Sequence, residues 1–296
     1  MKQSNAICLG TVKLGIPEYG FSSSHLSMKS QALTFLKQTE ASGISCLDTS
    51  PRYGESEKII GEYIAQTNAK PLISSKIDSL RPGSPDTPKK MLESVKLSLE
   101  RLNLLKLDVC YLHQNDLDII SDPYVREGFM LLKQEGLIRH SGASLYSHEE
   151  CENALSSGVF NFIQIPVSIF DASFYNAFIK ENKTSVQFAA RSLLLQGILV
   201  NRNAINSRIR QSKEVLGYLK QLDQLAQECG LSTLELALAF VFSLQNIDHY
   251  LIGTTSIENL EKNIQCLKIK LPMQVFKDVL EIASYPKSWA NPRNWN

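Results

Sequence analysis

Apolar positions fall into short strand-like runs separated by longer stretches of helical period. The runs are AICLGTV (6–12), ISCLDT (44–49), LISSKI (72–77), LDVCYLH (107–113), IRHSGAS (138–144), FNFIQIP (160–166), VQFAARS (186–192) and HYLIGT (249–254). An open doubly wound sheet would need only about five or six strands, so eight runs alternating with helices predict a closed (β/α)8 TIM barrel. Between the runs, Met28, Ala32, Leu33, Phe35 and Leu36 recur at helical spacing and Gly43 follows as a stop. Leu92, Val95, Leu99 and Leu102 mark a second helix, with Thr87 as candidate N-cap and Pro88 at the first helical position. STLELALAFVFSL (232–244) is apolar nearly all round and should be the most buried helix. RPGSPDTP (81–88) reads as a rigid loop after the third strand. The tail ASYPKSWANPRNWN (283–296) carries Trp289 and Trp295, which either cap the mouth of the barrel or pack on an outer helix.

Length and composition fit this picture. A chain of 296 residues with 43% hydrophobic and 21% charged residues suits one barrel domain spanning 1–296, with no linker. A net charge of +1 without basic blocks implies neither a nucleic-acid nor a membrane partner. No signal-like segment or uninterrupted apolar span occurs, so a cytoplasmic location is expected. The six cysteines lack a C-x-x-C pair, and His25, His140, His148 and His249 share no ligand spacing. Reduced thiols, surface or rim histidines and no metal are therefore expected. GTVKLG (10–15) lacks the Lys-Ser/Thr of a phosphate loop, and no G-x-G-x-x-G is present.

Four polar residues stand at or just after strand ends: Asp48 and Tyr53 in CLDTSPRYGESE, Lys76 in LISSKID, and His113 in DVCYLHQND. Catalytic groups of α/β barrels converge at the C-terminal ends of the strands, so this placement points to one pocket and to an enzyme. The flanking words LGTVKLG, DTSPRYGESE, ISSKI, SLERLNLLKLDVCYLHQ, GLIRHSGAS, IQIP and LIGTTSIENLEKNI, in this order, resemble the aldo-keto reductase superfamily over nearly the whole chain. LGTVKLGIPEYG and RSLLLQG are similar to a bacterial branch often linked with cell-surface sugar metabolism.

The resemblance implies reduction of a small aldehyde, ketone or sugar-like carbonyl by NADPH, with appreciable NADH use. Tyr53 is then the proton donor. Lys76 favours its phenolate, because a free tyrosine titrates near pH 10, about three units too high for easy cycling at neutrality. Asp48 is the counter-ion that a buried ammonium needs, and His113 donates a hydrogen bond to the carbonyl oxygen. For the cofactor, Ser144 and Gln164 correspond to groups that hold the nicotinamide carboxamide, whereas Leu145 stands where the family has asparagine. Arg191 replaces a tyrosine that stacks on the nicotinamide, and Ser192 follows it. Gly253, Thr254, Thr255 and Ser256 open the segment expected to hold the adenosine phosphate at a helix N-terminus, and Asn263 matches an asparagine near the adenine. Gly253 and Asn259 stand where NADPH-preferring relatives carry cations. Lys262 either substitutes for the missing arginine or is a solvated helix lysine. A regulatory or scaffold protein that binds the cofactor on the same barrel with slow turnover is the alternative.

Overall fold

Eight parallel strands close on themselves in sequence order: β1 (Ile7–Gly10), β2 (Cys46–Asp48), β3 (Leu72–Ile77), β4 (Leu107–Leu112), β5 (Ile138–Ser144), β6 (Phe162–Pro166), β7 (Gln187–Arg191) and β8 (His249–Ile252). The computed structural model describes residues 6–20, 26, 28–199, 201–285 and 287–295. Each predicted run contains its strand, and β1 pairs with β8 to seal the (β/α)8 barrel. Around it lie α1 (Val12–Gly15), α2 (Lys29–Ala41), α3 (Ser56–Thr67), α4 (Thr87–Leu102), α5 (Leu117–Ile120) and α6 (Pro123–Gln134). Next come α7 (His148–Ser157), α8 (Ile205–Arg208), α9 (Ser212–Glu228), α10 (Thr233–Ser243), α11 (Ile257–Gln265) and α12 (Met273–Ala283). Between β6 and β7 the helical turn Tyr175–Ile179 is π-wound.

The parallel register decides which side chains share a layer. Cys8 lies opposite Cys46 and Gly10 opposite Asp48, then Asp48 opposite Ser74, Lys76 opposite Tyr111, and Ser144 opposite Gln164. Because strand side chains alternate, these residues belong to the inward-facing set. Val109, Tyr111 and Phe162 form a small apolar cluster of their own. Gly142 beside them is required, since a Cβ there would collide with the Tyr111 ring. Alternate residues such as Ile73, Ile77, Cys110 and Leu112 face outward into the main core under the helices.

Several local expectations shift. Met28 is 59% exposed, and the packed face of α2 is Ala32, Leu33, Phe35, Leu36 and Thr39. Asp86, not Thr87, occupies the N-cap position of α4, so Pro88 is its second residue rather than its first. In α10 every residue from Leu236 to Phe242 is buried, and Ser232 and Glu235 close its start with a reciprocal capping box. His140 and His249 are neither on the surface nor at the catalytic rim. Their rings flank Phe162 at 5.3 and 6.0 Å, near the strand starts, because register rather than polarity sets their layer. His148 is exposed, with Nε2 3.2 Å from Ser173 Oγ. The expectation for His25 lies outside the described residues.

The tail's tryptophans pack on the outer layer, while its Arg293 reaches the rim at Tyr146. Trp289 is buried, donates from Nε1 to Glu214 on α9 at 2.9 Å, and meets Phe170 and Tyr218 edge-on. Trp295 Nε1 bonds the Trp289 carbonyl at 2.7 Å. The tryptophans therefore seat the tail on an outer helix rather than capping the mouth. All six cysteines are free. Strand pairing nevertheless brings Cys8 and Cys46 face to face with their Sγ atoms 2.7 Å apart, which linear spacing could not show. Among the described residues no single helix is long and apolar enough to cross a membrane; α9 and α10 pass by length and composition only together, and they bend by 83°.

Candidate active site

The polar centre of the barrel is built by two neighbouring strands. β2 ends at Asp48, and Lys76 sits two residues beyond its register partner Ser74 on β3, on the same face. Lys76 Nζ donates to Asp48 Oδ2 at 2.6 Å and to the Thr49 carbonyl at 2.7 Å. Asp48 Oδ1 also accepts from Ser74 Oγ at 2.8 Å and from Gln164 Nε2 at 3.0 Å. Asp48 and Lys76 are only 2% and 3% exposed. Burial works against the ammonium, but the charges of Asp48 and Tyr53 and hydrogen bonds to both outweigh it, so the Lys76 pKa is raised.

Tyr53 is carried by the turn between β2 and α3. Its amide bonds the Ser50 carbonyl at 2.9 Å, and its carbonyl accepts from the Ser56 amide at 3.0 Å. Ser56 Oγ lies 2.8 Å from Thr11 Oγ1 and 3.1 Å from Thr49 Oγ1, tying the turn to β1. A side chain on Gly15 would overlap the Tyr53 carbonyl, and Gly54 adopts φ +54° against the Gly15 carbonyl. Two glycines thus let the loops after β1 and β2 interlock and aim the phenol.

The Tyr53 ring centroid is 5.0 Å from Lys76 Nζ and 6.3 Å, edge-on, from the His113 ring. Burial pushes the Tyr53 pKa up, with Asp48 and Tyr146 adding to it, while Lys76 pulls it down by charge and hydrogen bonding. The net shift is upward, contrary to the expectation that the ammonium would bring Tyr53 toward neutrality. Desolvation is the larger effect.

His113 follows β4, its amide bonded to the Ile77 carbonyl at 2.7 Å. Its Nδ1 faces Ser50 Oγ at 3.5 Å and Asp78 Oδ2 at 3.7 Å. The neighbouring His113 ring holds the Asp78 carboxyl below its usual range, helped by the Ser79 hydroxyl and by the charge of Arg52, whose Nε is 2.5 Å away. The ring is thereby oriented from behind.

The candidate cofactor residues divide between two places. Ser144 Oγ and Gln164 Oε1 are 3.2 Å apart and both residues are buried, so this pair joins the Asp48 network directly. Leu145 contributes backbone: its carbonyl accepts from Arg191 Nη2 at 2.6 Å. Arg191 Nη1 also bonds Ser192 Oγ at 3.3 Å, and Ser192 adopts φ +60°. The Arg191 guanidinium lies 3.8 Å from the Tyr146 ring centroid, so a nicotinamide ring has only its opposite face to stack on.

At the end of β8, the Ser256 hydroxyl caps α11 by accepting from the Asn259 amide at 3.2 Å, and Thr254 Oγ1 accepts from the Ser256 amide at 3.2 Å. Thr255 and Asn263 are buried, while Gly253 and Asn259 are exposed. Lys262 pairs with Glu258 at 2.7 Å on the outer face of α11, the geometry of a solvated helix lysine. The sequence pattern did not single out Ser74, Thr49, Ser56, Asp78, Tyr146 or Arg293. Ser74 was within reach, since it stands two residues before Lys76 and must share its face.

The profile of the aldo/keto reductase family matches residues 6–284. The chain belongs to this family. It is accordingly an NAD(P)H-dependent oxidoreductase. Among its relatives is an uncharacterised oxidoreductase of Bacillus subtilis, 28% identical over 279 residues and covering 87% of this chain and 89% of the relative. A probable voltage-gated potassium channel subunit beta of Arabidopsis thaliana is 25% identical over 295 residues, covering 87% and 89%. The glycerol dehydrogenase of Gluconobacter oxydans superposes on this reductase with TM-score 0.73 at 20% identity, over 95% of this chain and 93% of the other. A Klebsiella pneumoniae aldo/keto reductase in complex with NADP and acetate gives TM-score 0.69 at 20% identity, over 95% and 92%.

Proposed function

We propose that this reductase converts a small aldehyde or ketone, sugar-like carbonyls included, to the alcohol, with Tyr53 delivering the proton to oxygen. The observation that carries the reading is the buried Lys76–Asp48 pair set against the Tyr53 ring. With its pKa raised, Tyr53 is protonated at neutral pH and able to donate. As the phenolate forms, the fixed ammonium of Lys76 stabilises it, and Asp48 keeps that ammonium charged in a dry site. His113, oriented by Ser50 and Asp78, donates a hydrogen bond to the carbonyl oxygen.

A nicotinamide dinucleotide supplies the hydride when bound. The residues present fit it. Gly10 and Gly253 lie side by side without side chains at the ends of β1 and β8, and the N-terminus of α11 begins just after Gly253 as an anion site. Ser144 and Gln164 would hold the carboxamide, Arg191 and Ser192 would flank the ring, and Asn263 would meet the adenine. NADPH is the preferred form, and NADH is used appreciably because neither Gly253 nor Asn259 provides a cation for the 2′-phosphate.

The test follows loss of NADPH absorbance against a panel of sugar aldehydes, keto sugars and aromatic aldehydes, with wild type and Tyr53→Phe. Carbonyl-dependent turnover that collapses in the variant supports the reading; near-normal turnover in Tyr53→Phe overturns it. A binding or regulatory role gains interest from the channel-subunit relative, yet all four residues of the proton site are retained here, which favours turnover.

A further inference from the structure

The mouth of the barrel holds two arginines around one aromatic ring. Arg191, at the end of β7, and Arg293, in the tail, have their guanidinium carbons 3.8 and 3.5 Å from the Tyr146 ring centroid. At those distances each covers the ring, and one face has room for one guanidinium, so they occupy opposite faces about 7 Å apart. Tyr146 stands two residues beyond Ser144, whose hydroxyl is linked through Gln164 to Asp48. Arg293 Nη2 donates to Asn115 Oδ1 at 3.1 Å, and Asn115 is two residues beyond His113. The ends of β4, β5 and β7 therefore bring this sandwich to the rim that carries the proton donor.

The charge around it is not balanced. Asp48 is matched by Lys76, and Asp78 by Arg52. Glu150 reaches Arg293 only through Asn115 and spends its other oxygen on the amides of Tyr146 and Ser147. Among the described residues neither Arg191 nor Arg293 has a carboxylate within ion-pair distance. Arg191 also keeps a buried Nε–H without a partner. Arg293 is exposed, so water screens the repulsion between the two charges, but the excess positive charge at the mouth favours an anion over a neutral group there.

We infer that the substrate carries an anionic group, a carboxylate or phosphate, which binds the exposed Arg293 guanidinium at the mouth, with the charge of Arg191 behind the Tyr146 ring adding to the attraction, while its carbonyl is presented to Tyr53 and His113. This rests on the carbonyl-reductase reading and narrows its substrate class to oxo acids, acidic sugars and their phosphates. Arginine suits the task because its planar fork donates to two oxygens at once. The tail's role is then to deliver Arg293, with the tryptophans as its anchor.

The test uses two carbonyl compounds that differ only in charge, 4-carboxybenzaldehyde and 4-formylbenzamide, and their alcohol products. Affinity of the holoenzyme with oxidised cofactor for the two alcohols is measured by calorimetry at low ionic strength, alongside kcat/KM for the two aldehydes. The expected result is a preference of about tenfold or more for the carboxylate, narrowing toward unity in Arg293→Gln and partly retained in Arg293→Lys. Equal affinity for both alcohols in wild type overturns the inference, as does a ratio that Arg293→Gln leaves untouched. An effect of Arg293→Gln on NADPH affinity with no change in the ratio also overturns it, since the anion would then be the cofactor's. Carboxylate-selective binding without turnover of either aldehyde sinks the reductase reading while leaving the anion site standing.

Discussion

The carboxamide nitrogen of Gln164 lies 3.0 Å from Asp48 Oδ1, which joins a residue proposed to hold the cofactor to the carboxylate that pairs with Lys76. Replacing Gln164 with Leu removes one of three side-chain donors to that carboxylate together with a cofactor contact. A hydrogen bond to the neutral carboxamide is worth roughly 0.5–1.5 kcal/mol, so cofactor Kd should rise about two- to tenfold, with kcat falling as well because Asp48 also loses a donor. Fluorescence titration with NADPH checks this, and an unchanged Kd would show that Gln164 serves the Asp48 network alone.

The raised Tyr53 pKa gives a signed pH prediction. Since it lies above the ordinary value of 10.0, reduction should show no loss of the proton donor until the pH exceeds that value. Replacing Lys76 with Met removes the group that pulls the pKa down, so the alkaline limb of kcat/KM should move to still higher pH while the rate falls. A limb that stays in place argues that Lys76 does not tune Tyr53. The substitution also leaves Asp48 buried and unpaired, at a cost of about 3–5 kcal/mol, part of which Asp48→Asn in the same chain should restore.

Gly15 and Gly217 make a matched pair of tests. Alanine at Gly15 would press on the Tyr53 carbonyl and on the amides of Glu55 and Ser56, whereas nothing lies within 4 Å of a Cβ at Gly217. Gly15→Ala should cut activity steeply and destabilise by about 1–3 kcal/mol. Gly217→Ala, in exposed helix, should stabilise by roughly 0.5–1 kcal/mol with activity retained. Thermal melts with parallel assays distinguish the two, and full activity in Gly15→Ala would mean that the interlocked loops do not aim Tyr53.

Cofactor choice is tested on α11. Asn259→Arg should tighten NADPH binding while leaving NADH binding nearly unchanged. Glu258→Gln frees Lys262 from its partner and should raise the NADPH-to-NADH ratio only if Lys262 reaches the 2′-phosphate. A wild-type preference for NADPH of about a thousandfold, roughly 4 kcal/mol, would mean that other residues grip this phosphate.

The eight strands were legible because each is an apolar run with its own boundaries, and α10 because it is apolar on every side. Asp48, Tyr53, Lys76 and His113 were legible as candidates because their words stand at strand ends in order. Periodicity is local, so it fixes which residues form a strand but not which layer of the barrel they share. That layer is set by the stagger with which β1 meets β8 and each strand meets its neighbour. Register alone brought Gln164 onto Asp48 across 116 residues, set Cys8 against Cys46, and drew both His140 and His249 to Phe162. The Tyr53 pKa likewise depended on burial, which no motif records. Arg293 had no signal at all, because its approach to Tyr146 depends on a tail anchored by two tryptophans and on three strand ends meeting at one rim.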